Sequence, residues 1–208
     1  VRIGFIGLGV MGAQMARHLA AAGHELVVSL NRSPLPRPRD LIGMLRTVVF
    51  SPEDLAVVKG DPAARRRFLD ALVVNRWPRM AGVRSDYDRI LKQRNALLKT
   101  MSRPGRAPAE HDESTLEVWD TQLAQVGSEL LEARLDTLAD LMPHAAAAYA
   151  GIAPTNNVAA VDYQCSVDLA GARDRTGLAA ALTAGMAQRR ADEVRRGVSL
   201  VGPQRDDL

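Results

Sequence analysis

Gly7, Gly9 and Gly12 stand as G-x-G-x-x-G within RIGFIGLGVMGAQMARHLAAAGHELVV, Arg2 to Val28. Glycines at that spacing suit the holding of a dinucleotide by its pyrophosphate. The first allows a tight turn, the second lets the phosphates approach the backbone, and the third lets a helix pack closely on a strand. The N-terminus of that helix then faces the anion with free N–H groups. Asn31 and Arg32, at the end of the strand expected next, are placed to meet an adenosine 2′-phosphate, so NADP is the cofactor this end of the chain would take.

A second group of chemistry-bearing residues is basic. Arg65, Arg66 and Arg67 lie together in PEDLAVVKGDPAARRRFLD, Pro52 to Asp70, and are the candidates for contacting a phosphate backbone. Arg66 has an alternative, an ion pair with Asp70 four residues on. Arg84 and Arg89 are interleaved with Asp86 and Asp88, and Arg195 and Arg196 with Asp192 and Glu193. Those read as solvated faces that neutralise themselves.

Other chemistries are excluded by residue type. The lone cysteine, Cys165, rules out an intramolecular disulfide and a cysteine-rich zinc site, and His18, His24, His111 and His144 have no metal-ligand spacing. Lys59, Lys92 and Lys99 follow Val58, Leu91 and Leu98, so no G-K-[ST] phosphate loop can be written. Asp206 and Asp207 follow a Gly-Pro turn and not an apolar strand, so the magnesium-holding acid of an ATPase is not legible either.

The elements that would position these residues follow from periodicity. Val1–Ile6 reads as a strand, Ala13–Ala22 as a helix stopped by Gly23, and Glu25–Leu30 as a second strand. SPLPRPRD then interrupts as a loop, and Leu45–Phe50 is strand-like. The acids after Pro52 start a helix that Gly60, Asp61 and Pro62 break, and Pro62 opens another. Apolar stripes run through Leu69, Val73, Met80, Val83, Tyr87, Ile90 and Leu97, interrupted at Pro78, and through Leu116, Trp119, Leu123, Val126, Leu130, Leu138 and Leu141, ending before Pro143. Two long helices joined by MSRPGRAPAEHDE should pack antiparallel through these stripes. VAAVDYQCSVDL alternates like a strand, Thr176–Arg196 reads as a helix, and GVSLVG as a further strand.

Composition agrees with a folded chain. It has 208 residues, 47% of them hydrophobic, and 27 Lys plus Arg against 24 Asp plus Glu, a net charge of +3. That length can bury a core, and the charge permits but does not require a polyanionic partner. No apolar run approaches the roughly 20 residues of a membrane span, and a reducing cytoplasmic setting is expected.

The opening GFIGLGVMGAQMARHLAAAGHELVV resembles the β-hydroxyacid dehydrogenase family, over about the first 32 residues. The family's catalytic lysine and substrate-binding glycine motif have no counterpart downstream. From Leu30 onward the chain resembles the RecF family of DNA replication and repair proteins, ATPases of the SMC and Rad50 kind. The stretches that carry this are LNRSPLPRPRDLIGMLRTVVFSPEDL, the signature PEDLAVVKGDPAARRRFLD, YDRILKQRNALLK, TLEVWDTQLAQVGSELLEARL and RRGVSLVGPQRDDL. Gln204 departs from that family, which usually has histidine there.

The two resemblances imply a fused α/β chain that is mostly helical. Residues 1–32 would be a truncated NAD(P)-binding βαβ segment, and residues 33–208 the helical lobe of an SMC/Rad50-like ABC ATPase with partial head strands. The RecF resemblance implies ATP as cofactor, with its site missing here. It also implies DNA at single-strand/double-strand junctions and recombination-mediator proteins as partners, and dimerisation around ATP. Three functions follow as expectations: a RecF-like repair protein without ATPase activity, an NADP-dependent oxidoreductase fragment, and a structural module. Half-built sheets should leave unpaired edges prone to association.

Overall fold

The computed structural model describes residues 52–103, 110–153 and 158–208, with the short pieces 18–19, 21–23, 29–30, 33–34 and 155–156. The chain divides into two compact units, Val1–Pro52 and Glu53–Leu208.

In the first unit a helical turn ends where the sequence puts its stop. The Ala22 N–H donates to the His18 carbonyl at 3.0 Å, and Gly23 follows in the left-handed region at φ 84°. A side chain there would strain the backbone. Ser29–Leu30 (β1) pairs antiparallel with Ser33–Pro34 (β2), Ser29 opposite Pro34 and Leu30 opposite Ser33. The chain therefore turns straight back after the second expected strand. The expected strands Val1–Ile6 and Leu45–Phe50, the three glycines, Asn31 and Arg32 lie outside the described residues.

The second unit is a helical bundle. A 3-10 turn, Pro52–Leu55, leads into α1 (Ala56–Lys59), and Gly60 ends it. α2 (Pro62–Arg76) starts as its residues dictate: Asp61 caps it by accepting the Ala64 N–H at 2.8 Å, and Pro62 occupies the first turn, where no N–H is needed. Pro78 separates α2 from α3 (Met80–Met101). α4 (Glu110–Ile152) is 43 residues long, and α5 (Arg175–Arg196) is capped by Asp174 at one end and by Gly197 at φ 65° at the other.

α3 and α4 run antiparallel, as the two stripes required. Arg94 of α3 meets Asp120 of α4, Tyr87 lies against Gly127, and Arg79 pairs with Glu129, so positions rise on one helix as they fall on the other. Val73, Met80, Tyr87, Ile90, Leu123, Leu130, Leu182, Met186 and Val201 form the main core, and Leu98, Met101 and Leu116 a smaller one.

Three expectations need correction. α4 does not stop at Pro143 but runs on to Ile152. Pro143 is exposed, so the carbonyl that loses its intrahelical donor is left on the solvated side, and the alanines that follow favour helix. VAAVDYQCSVDL forms no strand beyond a single antiparallel bridge, Gln164 with Asp207. GVSLVG forms none at all, because side chains take its backbone donors: the Ser199 N–H goes to Asn95 Oδ1 (2.7 Å), Leu200 to Glu193 Oε1 (2.6 Å) and Gly202 to Ser166 Oγ (2.9 Å).

Candidate functional site

The final stretch, Gly197 to Leu208, has little regular structure of its own, and arginines of the bundle hold it in place. Arg94, on the buried face of α3, is 0% exposed. Its Nε–H donates to Asp120 Oδ1 (2.6 Å), its Nη2 to Glu193 Oε2 (2.6 Å) and its Nη1 to Ser199 Oγ (2.7 Å). One guanidinium thus ties α3 to α4, α5 and the terminal stretch. Burial pulls its pKa down, but the bonds and charges of Glu193 and Asp120 more than offset this, and the group stays ionised. Arg190 donates to the other oxygen of Asp120 at 2.6 Å.

Arg134 of α4 does the same at the Gly-Pro turn. It donates to Asp70 of α2 (2.8 Å), to the Pro203 carbonyl (2.7 Å) and to the Tyr163 hydroxyl (3.2 Å). The Tyr163 hydroxyl donates to Asp206 Oδ2 (2.8 Å), and Asp206 Oδ1 accepts the Ser166 N–H (2.7 Å). Burial raises the Tyr163 pKa and keeps the phenol protonated as that donor. Cys165 lies 3.7 Å from the same carboxylate, and burial followed by the Asp206 charge pushes its thiol up to about 11. Gln204 makes its own contribution here, accepting from the buried Tyr87 hydroxyl and donating to the Val201 carbonyl at 2.8 Å.

The arginine triplet meets this stretch from α2. Arg65 grips Asp207 through two bonds, Nε to Oδ1 (2.7 Å) and Nη2 to Oδ2 (2.9 Å), and donates also to the Gly60 carbonyl (2.9 Å). The bond from Arg65 holds the Asp207 carboxyl below its ordinary value. Arg66 does not take Asp70. It donates to the Asp206 carbonyl (2.7 Å), while Asp70 goes to Arg134 and, at 3.7 Å, to Arg84. Arg67 is exposed.

Among the other expected self-pairs, Arg89–Asp86 (2.9 Å) and Arg195–Asp192 (2.6 Å) are present. Glu193 instead turns inward to Arg94. Arg94, Arg134 and Asp120 were missed in the sequence, and Asp70 was matched with Arg66 and not with Arg134, although a charge repeating within an apolar stripe was the signal that could have revealed them. An open cleft of about 720 Å³ lies between the Ser166–Ala172 loop and a smooth face of α5 made by Gly177, Ala180, Ala181, Ala184 and Gly185. Asp168, Gln188 and Arg189 at its margin are exposed. No group of residues able to hold a metal ion occurs among the described residues, and none of their helices is long and apolar enough to cross a membrane.

This architecture, long antiparallel helices carrying an ion-pinned terminal stretch, is a mostly helical fold shared with solved RecF structures. The structure of the recombination mediator protein RecF with ATPrS in the RecFOR pathway superposes with a TM-score of 0.76 at 24% identity, over 89% of this chain and 48% of that one. Its ATP counterpart gives 0.74.

In sequence, most of the chain is homologous to RecF proteins. The "DNA replication and repair protein RecF" of Cutibacterium acnes is 55% identical over 191 residues, and that of Streptomyces avermitilis 53% over 180. In both cases the match takes in 86% of this chain and 48% of the relative, so the chain spans about half the length of the curated relatives it matches. The model of the NAD binding domain of 6-phosphogluconate dehydrogenase matches residues 2–58. A dehydrogenase-like N-terminus is thus joined to a RecF-like body, and the dehydrogenase match runs past Arg32 to overlap the RecF one.

Proposed function

We propose that this chain serves as the helical lobe of a RecF-like recombination and repair protein, engaging DNA at single-strand gaps and the mediator proteins that load recombinase there, without hydrolysing ATP itself. The observation that carries the reading is the roughly half-identical match to RecF proteins over most of the chain, joined to the same fold. On this reading residues 33–208 are the functional lobe, and residues 1–32 a truncated NAD(P)-binding segment. Of the triplet, Arg67 is the residue that meets a phosphate. Arg65 and Arg66, engaged with Asp207 and the Asp206 carbonyl, position the turn beside it and reach DNA only by exchanging those bonds.

Binding of a gapped duplex, measured across a salt series, tests the reading. Affinity should fall with salt, and Arg67→Ala should lower the slope by about 0.9, the share of one phosphate contact. Absence of salt-dependent binding would sink it.

A second reading is supported by the match of residues 2–58 to an NAD binding domain and by Gly7, Gly9 and Gly12. In it the N-terminal unit binds NADP, with Asn31 and Arg32 at the 2′-phosphate. Saturable NADPH binding that Gly9→Asp abolishes would favour it, and a flat titration would remove it.

A further inference from the structure

The backbone of Asp207 is held by Gln164, which bonds both its N–H and its C=O at 2.9 Å. One residue earlier, the Asp206 carboxylate is held by Tyr163 and the Ser166 N–H, and the Asp206 carbonyl by Arg66. The terminal turn is thus anchored by bonds that do not involve the Asp207 carboxylate. That carboxylate fills the Arg65 fork instead, Oδ1 on Nε (2.7 Å) and Oδ2 on Nη2 (2.9 Å). Two parallel bonds of this kind are also how a guanidinium takes a phosphate, so either anion suits the same fork. The pair is partly open to water, with 17% of the Arg65 side chain and 27% of the Asp207 side chain exposed. An ion pair so placed contributes little net stability and is readily exchanged. Arg67, two residues on, is exposed.

We propose that Asp207 is a built-in rival of phosphate for Arg65, withholding that guanidinium from the DNA backbone, and that loss of its charge adds a phosphate contact beside Arg67. This rests on the reading above that the triplet faces DNA, and it names what limits the grip. Arg65 is then a phosphate site already filled by an acid of the same chain. The affinity of the surface for a polyanion is set by that competition as well as by the number of arginines.

Binding of a gapped duplex across a salt series tests this in the full chain, with Asp207→Asn, Arg65→Ala and the two combined. Asparagine keeps the shape of the side chain and an acceptor for the Leu208 N–H, which Oδ1 takes at 2.8 Å, but not the charge. Glu117→Gln, which removes one negative charge from an exposed position of α4, is the control. Asp207→Asn should steepen the fall of log affinity with log salt by about 0.9, so that each tenfold drop in salt widens its advantage about eightfold. Arg65→Ala should leave the wild-type slope as it is and cancel the gain in the combined variant, and Glu117→Gln should change neither. Asp207→Ser carries the same expectation and replaces the asparagine variant if that one does not melt cooperatively. Binding by Asp207→Asn alone would support the proposal, as the extreme case of withholding. A wild-type slope that Arg65→Ala lowers or Asp207→Asn leaves unchanged, or a gain that survives Arg65→Ala, would overturn it while leaving the contact of Arg67 standing. Absence of salt-dependent binding in every chain would overturn both.

Discussion

The guanidinium of Arg94, sealed from solvent, bonds Asp120 of α4 and Glu193 of α5 at the same 2.6 Å, so one side chain of α3 holds both neighbouring helices. Removing one member of such a buried set leaves the others as uncompensated charges. Arg94→Met should therefore cost about 3–5 kcal/mol in denaturant unfolding. Adding Glu193→Leu should recover part of that loss, since one stranded carboxylate is gone. If the single variant unfolded like wild type, the network would not be holding the bundle.

Tyr163 links Arg134 to Asp206 and so ties α4 to the terminal stretch. Tyr163→Phe should cost about 1 kcal/mol and speed hydrogen exchange at Ser166, whose N–H is held by Asp206. Unchanged exchange there would show that the hydroxyl is dispensable.

Asp207 has its carboxyl held below the ordinary 3.8 by the bond from Arg65. A depressed acid stabilises the fold fully above its unfolded value, and the contribution is lost as pH falls through the native one. The wild type should therefore loosen at residues 60–67 and 204–208 on acidification below about pH 4, while Asp207→Asn should show that looseness already at neutral pH and little further change. Hydrogen exchange followed by mass spectrometry at several pH values would read both.

Cys165 has its thiol pushed from 9.0 up to about 11, by burial and then by Asp206. At about pH 8 its thiolate fraction should be about a hundredfold below that of the unfolded chain, and alkylation by iodoacetamide correspondingly slow. Because the native value is raised, the protonated thiol supports the fold fully below pH 9.0, and that support fades as pH climbs toward about 11. Fast alkylation of the native chain would contradict this burial.

Gly185 lets α5 approach the Ser166–Ala172 loop, where an added Cβ would come within 2.2 Å of Val167 Cγ1. Gly185→Val should cost about 1–3 kcal/mol through overpacking, whereas Gly82→Ala, where a Cβ meets nothing within 4 Å, should be neutral or stabilising. Thermal melts of the two variants would separate them.

The helices were legible from residues alone because their signals are local. Asp61 and Pro62 start α2 and Pro78 divides α2 from α3, and each works through neighbours a few residues away. The antiparallel pairing of α3 and α4 was legible too, since two long apolar stripes on a single hairpin have few other ways to bury each other.

The strands misread in the terminal half show where local pattern stops. Alternation at Val158–Leu169 and apolarity at Gly197–Gly202 suit a ladder, but a ladder needs a neighbouring strand. In its place Asn95, Glu193 and Ser166 lie close enough to take the backbone donors. The choice of ion-pair partners was likewise beyond the sequence. Glu193 sits one residue from Asp192 and two from Arg195, yet the turn of α5 sends Asp192 out to Arg195 and Glu193 in to Arg94, 99 residues away. Spacing along the chain sets which face a side chain occupies, whereas the charge it meets there depends on which helix packs against that face.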